Sequence, residues 1–447
     1  MTQRNNRRQF LKNAGVGAAG AGFWIAGRQV GFGQEKSPNA KLNVACIGVG
    51  GRGAGDVDGV KGESIVALCD VDKKSLDKQA AAFPNAKPYR DFRKMLDEMN
   101  KEIDAVTVAT PDHCHAPAAV MAMKAGKHAY CEKPLTHDVY EARVMAETAA
   151  KYKVATQMGN QGTAGGNLRE SIEIIQSGAI GDVKEVYLWT NRPIWPQSPA
   201  IKARPKETPP VPETLDWDLW LGPAPERPYH KAYHPFSWRG WWDFGTGALG
   251  DMACHTVNLP YFALKLGAPA TVEAESEEIN PETCPGWAKV TYEFPARGDM
   301  PACKAVWHEG RKNGELVLPA TELFQGEKIS GSGSLLVGSK GTMYSPDDYG
   351  AKSIWLPKDK FADLKKPAPS IPRSPGHHKE WIDACKGGRP AMSNFSHAGP
   401  FTEFVLLGNV AMRVGKKFEW DSVNLKAKNC PEADQYIKRE YRKGWSL

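Results

Sequence analysis

The sequence lacks any C-x-x-C pair, and its first 33 residues contain no acidic side chain. The nine cysteines are odd in number, scattered, and partly placed in predicted buried strands, which favours small core residues over a disulfide framework or a zinc site. The formal net charge is +7, but residues 1–33 supply five of these charges, so the rest of the chain carries only +2. Without a basic patch, the composition excludes a nucleic-acid partner.

The amino terminus has the pattern of an export signal rather than of a domain. Residues 14–27 are uncharged and too short for the roughly 20 residues of a spanning helix. Before them, Arg7-Arg8 followed by Phe10-Leu11-Lys12 resembles a twin-arginine (Tat) signal, whose route exports folded proteins with their cofactors. We therefore expect the Tat export machinery to deliver the protein to the periplasm, with the signal cleaved or kept as a membrane anchor. A disordered basic tail is the alternative.

The stretch from Leu42 to Asp72 predicts a strand, a tight turn, the start of a helix and a second strand. Residues 44–47 form a short apolar run, which is typical of a parallel strand buried on both faces. A G-x-G-x-x-G turn follows, formed by Gly48, Gly50 and Gly53. These glycines allow the turn, the approach of a pyrophosphate and close packing of helix on strand. The N–H groups at the helix start, beside Arg52, would then face the phosphates of a dinucleotide.

The second strand, residues 65–69, ends at Asp70, twenty positions after Gly50. A carboxylate at that place can accept hydrogen bonds from both adenosine ribose hydroxyls, and it would repel a 2′-phosphate. The sequence therefore predicts NAD rather than NADP as the cofactor, with Lys73 and Lys74 leaving the discrimination open. The alternative is a solvent-exposed glycine loop beside two unrelated strands.

Two further strand ends carry candidate site residues. Residues 103–109 predict a strand that ends in Thr110-Pro111, at the carboxyl edge where open α/β sheets bind ligands. Residues 129–131 predict the next strand, which runs into Glu132-Lys133-Pro134. A lysine fixed there, before a proline turn, lies where a nicotinamide should lie. Taken alone, the tripeptide is a turn with a solvated lysine.

A single core rarely exceeds about 250–300 residues, so a chain of this length indicates two or three domains. Residues 136–151 predict a long helix capped by Thr136, and residues 154–157 predict a last strand of the first domain. The predicted divisions are an export segment at 1–33, a nucleotide-binding domain at 40–158, and a second domain at 159–447 with a Pro- and Trp-rich excursion at 191–244. The tryptophans there are suitable platforms for sugar rings or pack the domain.

A helix predicted from about Ala248 places Asp251 and His255 one turn apart on the same face. The carboxylate can orient the imidazole and raise its basicity, as a general base near neutral pH needs. We predict no metal, because a metal site would need a third ligand. The candidates for such a ligand are His230, His234 and the His113-Cys114-His115 group. An ion pair on a helix surface is the other alternative.

The last third of the chain changes its pattern. Between residues 271 and 344, alternating apolar and polar runs predict antiparallel strands with one solvent-facing side. Residues 378–386 and 401–414 predict helices that return to the body of the protein.

Three motifs together resemble the Gfo/Idh/MocA family of sugar and inositol oxidoreductases: the glycine turn with Asp70, Glu132-Lys133-Pro134, and Asp251-x-x-x-His255. The resemblance covers residues 40–447. It implies an α/β fold, with a Rossmann doubly wound parallel sheet followed by an α/β domain that has an open, mostly antiparallel sheet. This agrees with the predicted elements, and the open sheet favours a homo-oligomer. The long excursion before Asp251 departs from compact members, so the identity of the substrate does not carry over.

The resemblance also implies roles for the residues of these motifs. Lys133 would hydrogen-bond the reacting hydroxyl, His255 would take its proton, and Asp251 would position His255 or a neighbouring hydroxyl. The further residues that would line the cofactor are Thr110, Pro111, His115 and Glu132. The residues placed against the substrate are Asn160, Trp238, Arg239 and Asp243.

Three functions remain open at this point, each with a small carbohydrate as partner. The first is an NAD-dependent dehydrogenase that takes hydride from a ring carbinol carbon of a sugar, glycoside or cyclitol. Its cofactor would be retained and regenerated in place, because free NAD is scarce outside the cytoplasm. The second is an NAD-dependent glycosidase that oxidises, eliminates and reduces back without net redox change. The third is a non-enzymatic sugar-binding protein that kept the fold.

Overall fold

The computed structural model describes residues 40–447. The predicted export signal lies outside the described residues, so its Tat character stays a prediction. Within residues 40–447, no helix combines the length and the apolar character needed to cross a membrane. Eight of the nine cysteines are buried and all nine are free thiols, which confirms their prediction as core residues.

The first part of the chain forms a parallel sheet with helices between its strands. The strands are β1 (Asn43–Ile47), β2 (Ser64–Cys69), β3 (Lys87–Tyr89), β4 (Ala105–Val108), β5 (His128–Cys131) and β6 (Thr156–Met158). The helices are α1 (Arg52–Val60), α2 (Lys73–Ala82), α3 (Phe92–Glu98), α4 (His115–Lys124) and α5 (Val139–Tyr152), with a 3-10 turn at Asp112–Cys114. The strand order is β3-β2-β1-β4-β5-β6, and every pairing is parallel. The order reverses between β1 and β4, where ligands of doubly wound sheets bind.

The start of helix α5 differs from the prediction. The helix begins at Val139 with Asp138 as its cap, so the prediction of Thr136 as the cap was wrong. The Asp138 carboxylate accepts the Glu141 N–H at 2.8 Å, and Glu141 accepts the Asp138 N–H at 3.3 Å. This reciprocal capping box satisfies two backbone donors, and it leaves Thr136 and His137 in the preceding loop.

The second part of the chain is built on a ten-stranded sheet with the path β14-β13-β12-β7-β10-β9-β8-β15-β16, while β11 pairs with β10. Its strands are β7 (Val183–Thr190), β8 (Thr271–Ser276), β9 (Trp287–Phe294), β10 (Cys303–Lys312), β11 (Glu315–Leu316), β12 (Gly333–Gly338), β13 (Thr342–Ser345), β14 (Ile354–Leu356), β15 (Phe418–Asp421) and β16 (Lys426–Ala427). Only β7 and β10 pair in parallel, so the sheet is mixed and mostly antiparallel. The predicted fold class is therefore confirmed.

This part of the chain also contains helices. They are α6 (Gly166–Gln176), α7 (Trp217–Leu221), α8 (Gly247–Thr256), α9 (Asn258–Leu264), α10 (His377–Cys385), α11 (Phe395–Val414) and α12 (Asp434–Ile437). Helices α8 and α11 pack against the sheet, and α10 packs against α1 and β6. Short 3-10 turns occur at Gln161–Ala164, Ser237–Gly240, Thr321–Phe324 and Pro431–Ala433. Helix α11 begins at Phe395 with Asn394 as its cap, six residues before the predicted start, and it tolerates Pro400 in its second turn. Phe404 of α11 packs on Tyr292 and Phe294 of β9, with ring centroids 4.7 and 5.3 Å apart.

Residues 191–244 form an ordered excursion with an aromatic core of its own. Five of its tryptophans are buried and pack the excursion, and so they do not present open ring faces: Trp195, Trp220, Trp238, Trp241 and Trp242. The excursion is also joined to the first domain, because Lys73 N–H donates to Thr214 O at 2.8 Å and Asp216 N–H donates to Val71 O at 3.0 Å. It therefore lies next to the carboxyl end of β2.

Candidate active site

The glycine turn after β1 has the geometry that a dinucleotide requires. Gly48 has a φ of 77°, and a Cβ there would lie 2.7 Å from the backbone of Ala109. A Cβ on Gly53 would lie 2.0 Å from Gly48 O, so no side chain fits between the turn and the helix. Helix α1 starts without a side-chain cap at Gly51. Its first N–H groups therefore remain available to the phosphates of the cofactor.

Asp70 lies against this turn at the end of β2. Its Oδ2 accepts the N–H groups of Val49 at 2.9 Å and Gly50 at 3.1 Å, and its Oδ1 accepts the N–H of Asp72 at 2.9 Å. Burial raises the pKa of Asp70, although these three backbone donors favour the charged form. Because a carboxylate has about four lone-pair positions, one is left on Oδ1 for a ribose hydroxyl.

The two lysines beside Asp70 do not offset its charge. Lys73 forms an ion pair with Asp77 one turn along α2, and Lys74 is exposed. A 2′-phosphate would therefore meet the half-buried Asp70 carboxylate without a free cation from Lys73. This arrangement favours NAD over NADP.

We expect Asp70→Asn to weaken NAD binding by about tenfold and to reduce the preference for NAD over NADP, since an uncharged amide offers one acceptor and no repulsion. Titration of both nucleotides by fluorescence measures the two dissociation constants. Asp97→Asn, an exposed acid on α3, is the control and should change neither. Equal affinity of the wild-type protein for NAD and NADP would contradict this assignment.

His115 connects the loops that follow β4 and β5, near the point where the strand order reverses. Its ring nitrogens lie 2.8 Å from Thr110 O and 2.7 Å from Pro134 O, so the ring joins the ends of β4 and β5. The Thr110 hydroxyl is buried without a partner, which leaves it free for a ligand. His115 thus fixes these two loops relative to each other. Direct contact of His115 or Pro111 with a cofactor stays a prediction.

Glu132 is packed at the end of β5 and is already paired. It accepts Arg52 Nε–H at 2.9 Å and the hydroxyl of Tyr130 at 3.2 Å. A Cβ on Gly159 would lie 2.3 Å from its carboxylate, so Gly159 makes room for it after β6. Arg52 also lies 3.1 Å from Asp56. The carboxylate therefore ties the start of α1 to the end of β5.

Lys133 and Asp251, 118 positions apart, form a partly buried ion pair. The Lys133 ammonium donates to Asp251 Oδ1 at 2.7 Å and to the Asp251 carbonyl oxygen at 2.9 Å. The guanidinium of Arg239 lies 3.5 Å from the same Oδ1. Burial alone would lower the pKa of Lys133, but the Asp251 charge and hydrogen bond outweigh it and raise that pKa. Burial opposes ionisation of Asp251, but Lys133 and Arg239 lower its pKa, so both groups stay charged.

His255 follows one turn later on α8 and is only 5% exposed. Its ring lies edge-on to Tyr349, with centroids 4.9 Å apart, and its Nδ1 is buried without a hydrogen-bond partner. Burial, followed by the charge of Lys133, lowers the pKa of His255 to about 3 against the opposing effect of Asp251. Asp251 does raise the pKa of His255, as predicted, but burial and the charge of Lys133 outweigh this effect, so the predicted pKa near neutral pH was wrong. The ring is neutral and can accept a proton.

The four residues predicted for the substrate lie in three different settings. Arg239 joins the Lys133–Asp251 pair and stacks on Trp238, with its guanidinium carbon 4.3 Å from the ring centre. Asn160 follows β6, is fully buried, and has a carboxamide oxygen without a partner. Asp243 is instead paired with Arg227 inside the excursion. Their contacts with substrate stay predictions.

Sequence reasoning missed His377, the first residue of α10. Its Nε2 is buried without a partner, and its ring lies 5.7 Å from that of Tyr130, two residues before Glu132. Burial lowers the pKa of His377 to about 3, and His377 and Arg52 are among the groups that lower the pKa of His255. His377 therefore adds a second neutral imidazole beside the predicted site. The next residue, His378, is different, since it hydrogen-bonds Asp56 at 3.1 Å and stacks on Tyr130.

We expect His377→Phe to lower kcat/KM about tenfold with little change in Tm, because the ring volume is kept and only polar contacts to the site are lost. The matched control is His378→Phe, which removes the bond to Asp56 and should lower Tm more than kcat/KM. Steady-state kinetics and thermal unfolding of both variants separate these effects. A kcat/KM of His377→Phe within twofold of the wild type would remove His377 from the site.

The histidines weighed as metal ligands do not converge. His113 is fully buried, and its nitrogens lie 3.2 Å from Phe244 O and 2.9 Å from Trp220 O. In the part of the chain that the structure describes, no group of three or more His, Cys, Asp or Glu side chains is placed to hold a metal ion.

Comparison with known families agrees with this geometry. Residues 42–160 match the family model for the NAD-binding Rossmann fold of the Gfo/Idh/MocA oxidoreductases, and residues 175–313 match the model for their carboxyl-terminal alpha/beta domain. The chain belongs to the Gfo/Idh/MocA family. NAD is accordingly its cofactor, and the glycine turn, Asp70 and the free N–H groups of α1 fit it.

The curated relatives are similar to only part of this chain. An alpha-N-acetylgalactosaminidase of Tannerella forsythia is 41% identical over 147 residues, which are 27% of this chain and 31% of the relative. A glycosyl hydrolase family 109 protein of Shewanella pealeana is 30% identical over 204 residues, 40% of this chain and 44% of the relative. The matches thus span between 31% and 44% of the length of these relatives.

Solved structures of other proteins share the fold over most of the chain. The WlbA dehydrogenase of Bordetella pertussis, in complex with NADH and UDP-GlcNAcA, has a TM-score of 0.59 at 16% identity and covers 85% of this chain and 99% of its own. An aldose-aldose oxidoreductase of Caulobacter crescentus has a TM-score of 0.55 at 17% identity, with coverages of 85% and 99%. At these identities the likeness shows the fold alone.

Proposed function

We propose that this protein transfers hydride between NAD and a hydroxyl-bearing ring carbon of a sugar, glycoside or cyclitol. The observation that carries the proposal is the convergence of Lys133, from the end of β5, on Asp251 of α8, the helix that also presents His255. The pair lies at the carboxyl edge of the sheet that holds the glycine turn. A charged donor and a neutral acceptor are thus placed on the side where ligands of such sheets bind.

Lys133 is suited to bind the reacting oxygen. Two of the three N–H donors of its ammonium are used by Asp251, so one is left for a substrate hydroxyl. Its raised pKa keeps the group charged, and a fixed positive charge stabilises an oxygen that becomes negative as hydride leaves. Arg239 lies 3.5 Å from the same Asp251 oxygen, Oδ1, and so limits the movement of the pair.

His255 is suited to accept the hydroxyl proton. Its low pKa makes it a weak base, so proton removal is favourable only as hydride leaves and the hydroxyl becomes strongly acidic. When bound, the nicotinamide supplies the hydride acceptor. The protein's contribution is therefore to couple proton transfer to His255 with the loss of hydride from the same carbinol group.

A glycosidase that works by transient oxidation and elimination is the second candidate. The names of the curated relatives favour it, since they are glycosyl hydrolase family 109 proteins and an alpha-N-acetylgalactosaminidase. Its first step would use the same Lys133 and His255. The two functions then differ only in whether the ketone leaves the enzyme or a glycosidic bond is cleaved before hydride returns.

The deciding experiment starts from purified protein with its bound nucleotide released and identified by mass. The protein is then incubated with free sugars, cyclitols and nitrophenyl glycosides while NADH absorbance and nitrophenol release are followed together. A dehydrogenase accumulates NADH without cleavage, whereas a glycosidase releases nitrophenol without net NADH. A protein that binds sugar but does neither, and exchanges no carbon-bound hydrogen with deuterated solvent, would be the non-enzymatic binder.

We also propose that the protein is exported through the Tat route and self-associates through the open face of the second sheet. Support for export is the sequence of residues 1–33. Support for association is β9, whose buried Ala288 and Val290 alternate with the exposed Lys289 and Glu293. Fractionation of cells that carry the wild-type or an Arg7→Lys/Arg8→Lys signal tests export, and light scattering during gel filtration tests association.

A further inference from the structure

A small cavity lies beside the loop that follows Lys133 and the segment that precedes α8. It measures about 40 Å³ and is lined by the loop before α5, helix α11 and the carboxyl-terminal segment with α12. We call it the tail pocket and define it by His137, Trp242, Asn409, Arg413, Tyr436 and Arg439. His137 follows Lys133 by four residues, and Gly245, which also lines the pocket, precedes α8. The pocket therefore adjoins both segments that carry the proposed catalytic groups.

Four buried polar atoms on three residues of this pocket have no hydrogen-bond partner. They are both ring nitrogens of His137, the carboxamide oxygen of Asn409 and one terminal nitrogen of Arg439. Folded proteins leave few buried polar atoms unsatisfied, because each such atom has lost its hydrogen bonds to water without a replacement. The nitrogens of Arg439 and His137 can donate to an acceptor, whereas the Asn409 oxygen needs a donor, such as the hydroxyl of a protonated phosphate. Their concentration around one cavity indicates a polar occupant.

The charges around the tail pocket favour an anion over water. The guanidinium of Arg413 lies 4.0 Å from the ring centre of Tyr436 and 5.2 Å from that of Trp242. Across residues 40–447, no carboxylate forms an ion pair with it, and burial lowers its pKa. Water would satisfy hydrogen bonds there but would not neutralise a half-buried guanidinium.

The acids near the pocket are already engaged. Glu141 accepts two N–H groups of Arg439, at 3.0 and 2.6 Å, and leaves the third nitrogen facing the pocket. Asp138 caps α5, and its carboxyl group also lies 3.6 Å from Arg439 Nε. Burial, followed by the charge of Glu141, raises the pKa of Asp138 to about 8, which favours its neutral form. The pocket therefore keeps a surplus of positive charge.

We infer that the tail pocket binds a small oxyanion, phosphate or a carboxylate, between Arg413, Arg439 and His137. Planar guanidinium groups bind such oxygens in pairs of charge-assisted hydrogen bonds, and a neutral imidazole adds one N–H donor. The amide of Asn409 donates to Thr246 O at 2.8 Å, just before α8. An anion held in the pocket would therefore stabilise the base of the helix that carries Asp251 and His255.

The test uses the full-length protein saturated with NAD, so that the dinucleotide site cannot take up phosphate. Inorganic phosphate, acetate and chloride are titrated at constant ionic strength by calorimetry and by thermal unfolding. We expect saturable binding of phosphate or acetate with a rise in Tm, and the preferred anion tells a phosphate site from a carboxylate site. An equal response to all three salts would show a water-filled pocket and overturn the inference.

Arg413→Gln should weaken binding of the preferred anion at least about tenfold, since a charge-assisted contact is lost. The matched control is Arg389→Gln at an exposed arginine, which should bind as the wild type does. His137→Asn provides a second variant if Arg413→Gln does not fold, and it should also weaken binding. Wild-type affinity in a folded Arg413→Gln or His137→Asn protein would overturn the inference.

Discussion

Lys133→Met should lower kcat by about 10³-fold or more while the protein still folds and binds NAD. Removal of one preorganised donor from a developing oxyanion costs about 10²–10³ in kcat. Among residues 40–447, the lost donor is also the only partner within 3 Å of Asp251 Oδ1. Methionine keeps the length of the side chain and removes its charge. Single-turnover reduction of bound NAD, measured with the best sugar of the panel, gives the rate of the chemical step.

The control for this prediction is the pair of variants Asp251→Asn and Lys133→Met/Asp251→Asn. A single Lys133→Met change leaves a buried carboxylate without its partner, which destabilises the protein. The double variant removes that charge as well, so it should recover Tm but not kcat. Recovery of kcat in the double variant would show that Lys133 only neutralises Asp251 and does not act on the substrate.

His255→Asn should lower kcat/KM by about 10²–10⁴-fold, the range for loss of a general base. The pH profile gives the sharper test. The pKa of His255 is lowered to about 3 by burial and by Lys133, so the neutral, proton-accepting form persists as pH falls from 7 to 4. Wild-type kcat/KM should therefore show no histidine inflection near pH 6.5, and activity that depends on His255 should be lost only as pH approaches 3.

His308→Asn is the matched control for His255→Asn. His308 is also buried, its pKa is lowered to about 4, and it lies on β10 against Leu188 and Tyr187. This variant should change Tm without a large change in kcat/KM. A wild-type kcat/KM that falls tenfold between pH 6.5 and 5.5 would contradict the low pKa of His255. It would show that the proton-accepting group titrates near pH 6.5.

The order of elements could be predicted because local patterns determine it. The apolar run before Gly48, the spacing to Asp70 and the alternation along β9 each reflect a single strand or turn, and the structure confirms these elements. Helix starts were less predictable. Two side chains can compete to cap one helix, and the choice of Asp138 over Thr136 depends on Glu141 three residues later.

The site could be predicted only where a residue lies next to a motif. Lys133 and His255 belong to short patterns, whereas His377 reaches the site from α10, 122 positions after His255, without any signal around it. The low pKa of His255 was also beyond sequence reasoning, because it depends on burial and on a lysine from another domain. Contacts between residues far apart in the sequence therefore determine the protonation of the site, which local sequence patterns do not predict.

The attachment of the excursion has a consequence for engineering. Residues 191–244 are hydrogen-bonded to the first domain through Thr214 and Asp216. They are bonded to the second domain through Trp242, whose N–H donates to Glu282 O at 3.0 Å. A chimaera that exchanged the whole excursion for that of a homologue would lose both sets of hydrogen bonds. Efforts to change substrate specificity should therefore replace only short segments around Trp238, which is predicted to contact substrate, and keep both sets of hydrogen bonds intact.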